Sequence, residues 1–483
     1  MTELHTLSAT ALAQAFAART LSPVAVAEAV IAQIERCEPT LCALYAYDPD
    51  AALAQARASE ARWLRGAPLS PLDGVPGTLK ENLASRGCAM PVGTAASDLR
   101  PLDWDSPPAA RWQEAGLVLL AKTTMPDYGM LSSGLSSFHP LARNPWDPRL
   151  NPGGSSAGGG PAAAAGYGPL HVGTDIGGSV RLPAGWCGLV GLKPSAGRVP
   201  IKPAYAGRVA GPMTRTVADC AALMAVLSRP DARDATSLPL QPIAWADLGR
   251  DLRGLRLGLQ LDAGWGLAVT PEIRAAVEAA ARTFEAVGAI VEPVPAFCTR
   301  AMADGMDRFW RMRSYLDIQA LPEARRLKVL PYIRDWVASG ATLGAADVFT
   351  GYSQMAALRD AAVAAIQPFD FILSPTSPVA SFPAEWASPT NDPAQPFEHI
   401  AFTLPYNMSE QPALSLNCGF TTGGLPHLPP MPIGLQIAGH RFDDLGVLQL
   451  AAAFEQLRGQ PPAWPMTRMA PMTPMTPRPL ASA

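Results

Sequence analysis

The chain has 483 residues, 48% of them hydrophobic and 16% charged, with 50 Pro, 41 Gly and a formal net charge of -3. A chain this long and apolar buries enough surface to offset its ordering entropy, which excludes a disordered protein. Its near-neutral, slightly acidic balance argues against nucleic acid as a partner.

Met1-Thr2-Glu3-Leu4-His5 carries no basic segment leading into an apolar stretch, and no run approaches the roughly 18 apolar residues that a bilayer span requires. A cytoplasmic protein with no membrane contact is expected. Ser8 to Glu38 reads as two helices broken at Ser22-Pro23, where serine caps and proline takes the first helical position, and Ala51 to Arg65 reads as a third. Residues 1–66 are therefore expected to form a helical segment packed on the core. Pro107 to Ala115 reads as a short helix stopped by Gly116, followed by a buried strand at Leu117-Val118-Leu119-Leu120. Gly254 to Gln260 reads as a strand, and Thr270-Pro271-Glu272 opens a helix with Ile273, Val277, Phe284 and Val287 on one face. Gly288 ends that helix, and Ala289 to Val294 is a further strand.

This alternation predicts an α/β fold: one large domain over residues 67–459, with a mixed, twisted central sheet covered by helices on both faces. Residues 301–365 read as a helical insertion rich in aromatics (Phe309, Trp310, Tyr315, Tyr332, Trp336, Tyr352), for which helix packing is favoured over a pocket wall. From Gln460 a Pro/Met-rich tail with an M-T-P repeat cannot build regular structure, because proline lacks a donor. The seven cysteines (Cys37, Cys42, Cys88, Cys187, Cys220, Cys298, Cys418) are scattered, with no C-x-x-C and no H-E-x-x-H elsewhere. They read as buried thiols, with neither metal nor cofactor expected.

The chemistry concentrates between Asn151 and Pro194. A phosphate loop needs G-K-[ST], and no lysine lies between Lys122 and Lys193. Gly154-Ser155-Ser156-Ala157-Gly158 matches the nucleophile elbow G-x-S-x-G. That motif must follow a strand, however, and three prolines (Pro145, Pro148, Pro152) precede it. A third reading joins both serine clusters to a lysine. Its residues are Pro71 to Pro76 with Lys80-Glu81-Asn82, Asn144-Pro145-Trp146, the G-G-S-S stretch from Gly153, and Gly173-Thr174-Asp175-Ile176-Gly177-Gly178-Ser179-Val180-Arg181. Cys187-Gly188, Gly191 to Pro194, Gly211-Pro212-Met213, Arg215-Thr216-Val217, Asp219 and Pro432 to Ile437 with Gly439 follow in order. Together these motifs resemble the amidase signature family of serine hydrolases over nearly the whole chain.

The resemblance implies a triad of Lys80, Ser155 and Ser179, separated by 155 − 80 = 75 and 179 − 155 = 24 residues. Ser179 would be the nucleophile, Ser155 a bridging serine after a cis peptide bond, and Lys80 the base. The backbone N–H groups of Ile176, Gly177, Gly178 and Ser179 would form the oxyanion hole. Ser156 is expected to hydrogen-bond within the serine–lysine network, Asp175 and Arg181 to pair and hold the nucleophile loop, and Gly129 and Met130 to lie near the acyl pocket. Lys122, Lys193 and Lys202 read as structural.

The chemistry explains the residue types. A serine hydroxyl needs a base, and Ser155 can relay because a hydroxyl both donates and accepts. An ordinary lysine pKa of about 10.4 must fall by about 3 units for the amine to serve near neutrality, which burial can supply. Lys80 is therefore expected to sit deep, with no carboxylate paired to it. The chain has only five lysines among 38 basic residues, and arginine could not take this role, because a guanidinium stays protonated.

The expected activity is hydrolysis of an amide C–N bond in a small aryl or aliphatic amide or carbamate, by a monomer or homodimer. A glutamine-hydrolysing subunit of a tRNA-dependent amidotransferase is the alternative, and an inactive binding module on the same fold a third. Leu182 stands where the amidotransferase subunits often carry Gln. Glu410, in Tyr406 to Ala413, departs from the family pattern and is read as either altering the pocket or being solvated.

Overall fold

The computed structural model describes residues 3–422, 429–459, 464 and 465. Among the described residues eleven strands form one sheet. They are β1 (Leu44–Tyr45), β2 (Pro76–Lys80), β3 (Val118–Thr123), β4 (Leu170–Asp175), β5 (Val190–Lys193), β6 (Val209–Thr214), β7 (Arg256–Leu259), β8 (Ile290–Pro293), β9 (Phe371–Pro375), β10 (Ala413–Phe420) and β11 (Pro432–Gly439). Their spatial order is β1-β3-β2-β4-β6-β5-β10-β11-β9-β7-β8. The β3-β2-β4 and β9-β7-β8 blocks are parallel, and every other pairing is antiparallel. The sheet is mixed and flanked by helices, as the alternation of elements predicts.

The helix starts follow their capping residues. Ser8 accepts a hydrogen bond from Ala11 N–H ahead of the helix Ala9–Ala17, and Ser22 accepts from Val24 and Ala25 N–H ahead of Pro23–Leu41. The third helix spans Pro49–Leu64. In the helix Pro271–Glu285, Ile273, Val277 and Phe284 are buried on one face, while Val287 lies just past its end and half-buried.

Only three stretches read as strands from sequence, and the hidden ones share a cause. Strands β2, β4, β5, β6, β9 and β11 are buried along their whole length, so no alternation of polar and apolar residues marks them. Gly77 also breaks the β2 pattern, because a Cβ there would stand 1.8 Å from the Leu170 carbonyl oxygen of β4.

In the helical insertion, Arg300–Gln319 packs along Ala345–Ile366. The two backbones meet closely, with a Cβ on Gly351 falling 2.4 Å from the Gly305 carbonyl oxygen. The shorter helix Pro331–Ala338 lies against the first, with Arg311 donating to the Trp336 carbonyl. Of the predicted tail, Trp464 packs near Trp146, at 6.3 Å between ring centroids, and the M-T-P repeat lies outside the described residues. All seven cysteines are free thiols. Among the described residues no helix is long and apolar enough to cross a membrane.

Candidate active site

Lys80 ends β2, where parallel neighbours on both sides fix its backbone. The residue is 0% exposed, and its Nζ lies 2.8 Å from Ser155 Oγ, to which it donates. Burial lowers its pKa well below the ordinary lysine value; the Arg208 guanidinium adds to this, and Asp175 and Glu81 oppose it more weakly. Among the described residues no carboxylate forms an ion pair with Lys80. The adjacent Glu81 turns its carboxylate to His139 Nε2, at 2.5 Å, and to the Gly93 N–H.

The Gly154–Ser155 peptide is cis. Ser155 is buried beside Gly129, which has φ +71°, and a Cβ on Gly129 would stand 3.2 Å from Ser155 Oγ. Ser156 departs from expectation. Its hydroxyl donates to the Thr174 carbonyl (3.3 Å) and accepts from Thr174 N–H (3.4 Å), because its side chain lies over β4, where Gly173 leaves room. Its contact with Ser179 is made by the backbone, the Ser156 N–H donating to the Ser179 carbonyl at 3.2 Å.

Ser179 stands on the loop between β4 and the helix Arg181–Cys187. Asp175 organises that loop by accepting from Gly178 N–H (2.8 Å) and Val180 N–H (3.1 Å), and by pairing with Arg181 through Nε (3.0 Å) and Nη2 (2.9 Å). Burial alone would raise the Asp175 pKa, but the Arg181 guanidinium and these hydrogen bonds outweigh it and hold the carboxyl below its ordinary range. Arg181 is wholly buried rather than a surface charge, and also donates to the Thr403 carbonyl, Gln436 Oε1 and Asn407 Oδ1.

Two further side chains brace the loop. Thr403 Oγ1 donates to the Gly177 carbonyl (2.6 Å), and Asn407 Nδ2 donates to Asp175 Oδ1 (2.9 Å) and the Gly207 carbonyl (3.0 Å). Sequence reasoning gave Thr403, Asn407 and Gln436 no role. They lie more than 220 residues from the loop they hold, and only the Asn407 and Gln436 stretches carried a motif.

Of the four N–H groups expected to face an oxyanion, that of Gly178 is given to Asp175. Among the described residues the N–H groups of Ile176, Gly177 and Ser179 have no protein partner, and these three residues line a cavity of about 260 Å³. Gly129 and Met130 line it too. Trp310, Trp336 and Phe397 form an aromatic wall, with Phe397 edge-on to both tryptophans at 5.1 and 5.2 Å. A Cβ on Gly177 would lie 3.3 Å from Trp310 Cη2. Two of the six insertion aromatics thus reach the pocket, whereas Phe309 and Tyr352 pack on each other and Tyr332 donates to the Asp392 carbonyl.

The model of the family described as Amidase matches residues 25–448 of the chain. The chain belongs to the amidase signature family. It is an amidase, a hydrolase of carbon–nitrogen bonds. It is 34% identical to a glutamyl-tRNA(Gln) amidotransferase subunit of Chloroflexus aurantiacus, over 95% of this chain and 98% of that one. A bacterial aryl acylamidase superimposes with a TM-score of 0.85 at 28% identity, over 95% of this chain and 99% of that one. The 6-aminohexanoate cyclic dimer hydrolase does so with a TM-score of 0.82 at 25% identity, over 95% and 98%.

Elsewhere in the amidase, Glu410 lies outside the pocket and pairs with Arg441. Lys193 donates to the Pro194 carbonyl (2.8 Å), and Lys202 stands 5.1 Å over the Trp104 ring. Lys122 is buried with Ser85 Oγ and the Leu83 carbonyl as acceptors. It lies at a larger groove, of about 700 Å³, that contains none of the predicted site residues.

Proposed function

We propose that this amidase cleaves a small amide through an acyl-enzyme on Ser179. Neutral Lys80 accepts the Ser155 proton, Ser155 accepts the Ser179 proton, and Ser179 Oγ attacks the carbonyl carbon. The N–H groups of Ile176, Gly177 and Ser179 hold the resulting oxyanion. Collapse of the tetrahedral intermediate breaks the C–N bond, and the proton on Lys80 returns through Ser155 to the leaving amine. Water enters by the same relay, is deprotonated, and releases the acid. The observation that carries this reading is the fully buried Lys80 Nζ at 2.8 Å from Ser155 Oγ, beside the cavity that Ser179 lines.

The aromatic wall of Trp310, Trp336 and Phe397 favours a stand-alone enzyme for an aryl or aliphatic amide or carbamate, and we place it in the cytoplasm as a monomer or homodimer. Leu182 supports this. It is 1% exposed and packed with Trp186, Ile400 and Leu404, surroundings that would leave a glutamine there without partners. The curated relatives speak more strongly for the second reading, in which the chain hydrolyses glutamine within an amidotransferase and works with protein partners, since the similarity covers both chains end to end.

A panel of p-nitroanilide, primary amide, carbamate and p-nitrophenyl ester substrates, with glutamine included, separates the two on the purified chain. Turnover of anilides or carbamates without added subunits is expected. Hydrolysis of glutamine alone, and only with partner subunits, would replace the first reading by the second.

A further inference from the structure

Two charged side chains at the mouth of the pocket are not used by the reaction as described. Trp310, Arg313 and Asp317 follow one another along the helix Arg300–Gln319, and all three line the cavity. Trp310 touches the nucleophile loop at Gly177, so at a rise of about 1.5 Å per residue Arg313 lies some 4 to 5 Å further out along the helix axis. Its guanidinium carbon stands 4.0 Å over the Tyr205 ring. Among the described residues Arg313 donates no hydrogen bond and pairs with no carboxylate, and Asp317 pairs with no base.

The same Tyr205 ring also carries Arg208, at 5.2 Å, which is buried and held by the Pro203 carbonyl (2.7 Å) and the Asn82 carbonyl (3.4 Å). Two guanidinium groups on one ring repel each other, and among the described residues no acid bridges them. A planar anion is the natural counter-charge, because a carboxylate accepts the guanidinium fork in a bidentate geometry. The path from Ser179 past Trp310 to Arg313 is apolar, then cationic.

We infer that the substrate carries a carboxylate separated from the scissile amide by an aryl or short aliphatic spacer, and that Arg313, with Arg208 behind it, binds that carboxylate beside Tyr205. This rests on the reading of Ser179 as the nucleophile. Asp317, one turn beyond, opposes the anion and sets how strongly it is preferred.

Two matched pairs test the inference: glutaryl against valeryl p-nitroanilide, and N-valeryl-4-aminobenzoate against valeranilide. Binding to Ser179→Ala, measured by calorimetry, reads the carboxylate preference without any turnover. The carboxylated member of at least one pair is expected to bind about tenfold more tightly at low ionic strength. In Ser179→Ala/Arg313→Gln that ratio falls below about twofold, and in Ser179→Ala/Asp317→Asn it rises. Equal affinities in both pairs, or a ratio unchanged by Arg313→Gln, overturn the inference. Turnover of the neutral anilides by the wild type separately reports on Ser179 chemistry, so a failure there is told apart from a failure here.

Discussion

In the proposed reaction Lys80 acts as a base only while uncharged, and burial first and the nearby Arg208 cation second lower its pKa. The activity is therefore expected to rise with pH to a plateau as Lys80 loses its proton, with the acid limb below the ordinary lysine range of about 10.4. Arg208→Gln removes the positive neighbour, stabilises the ammonium and moves that limb to higher pH; a pH profile of kcat/KM for a neutral ester checks it, and a limb that stays in place contradicts the role given to Arg208. The residue scale was also the most legible in sequence. Lysine is scarce in this chain, and the glycines around Ser155 and Ser179 stand where close approach demands them, as at Gly129 and Gly173. Tyr205, Arg208, Arg313 and Asp317 left no such mark. Arginine is common here, and nothing local distinguishes one that faces a pocket from one on the surface.

At the scale of elements, the helix Pro23–Leu41 joins the sheet through Glu38 near its end. Glu38 Oε1 accepts the N–H of Leu44 in β1 at 2.7 Å, while among the described residues the buried Oε2, on the side of the Tyr167 hydroxyl, has no partner in hydrogen-bond geometry. Burial pushes the Glu38 pKa up to about 7, against about 4.3 in an unfolded chain. The folded state thus holds an extra proton between those values, and stability falls as pH rises through that window and stays reduced above it. Glu38→Gln keeps the acceptor for Leu44 and removes the charge. It is expected to stabilise the protein by about 1 to 3 kcal/mol at pH 8 and by little at pH 4.5, with thermal melts across that range as the check. Equal gains at both pH values would mean that Glu38 does not titrate with folding. Capping serines and the amphipathic helix at Pro271–Glu285 were readable because their signals are local. The buried central strands were not, since a strand covered on both faces has no period to read.

Over the whole molecule, the sheet joins residues far apart in the chain. The β2 end supplies Lys80 and the loop after β4 supplies Ser179, with the Ser155 segment beside them. Behind the nucleophile loop, Thr403, Asn407 and Gln436 reach Asp175 and Arg181 across more than 220 residues. The family and the α/β class were legible because their motifs recur in order along the chain. The bracing network and the charged mouth were not, because they exist only once the insertion and the C-terminal strands close on the sheet. The central claim is that Ser179, not the G-x-S-x-G serine, forms the acyl-enzyme. The most direct measurement is peptide mapping by mass spectrometry after reaction with a sulfonyl fluoride, on the wild type and on Ser179→Ala. The adduct is predicted on Ser179 and is lost in the variant, along with turnover by about 10⁴-fold or more; an adduct on Ser156 that persists in Ser179→Ala would contradict it.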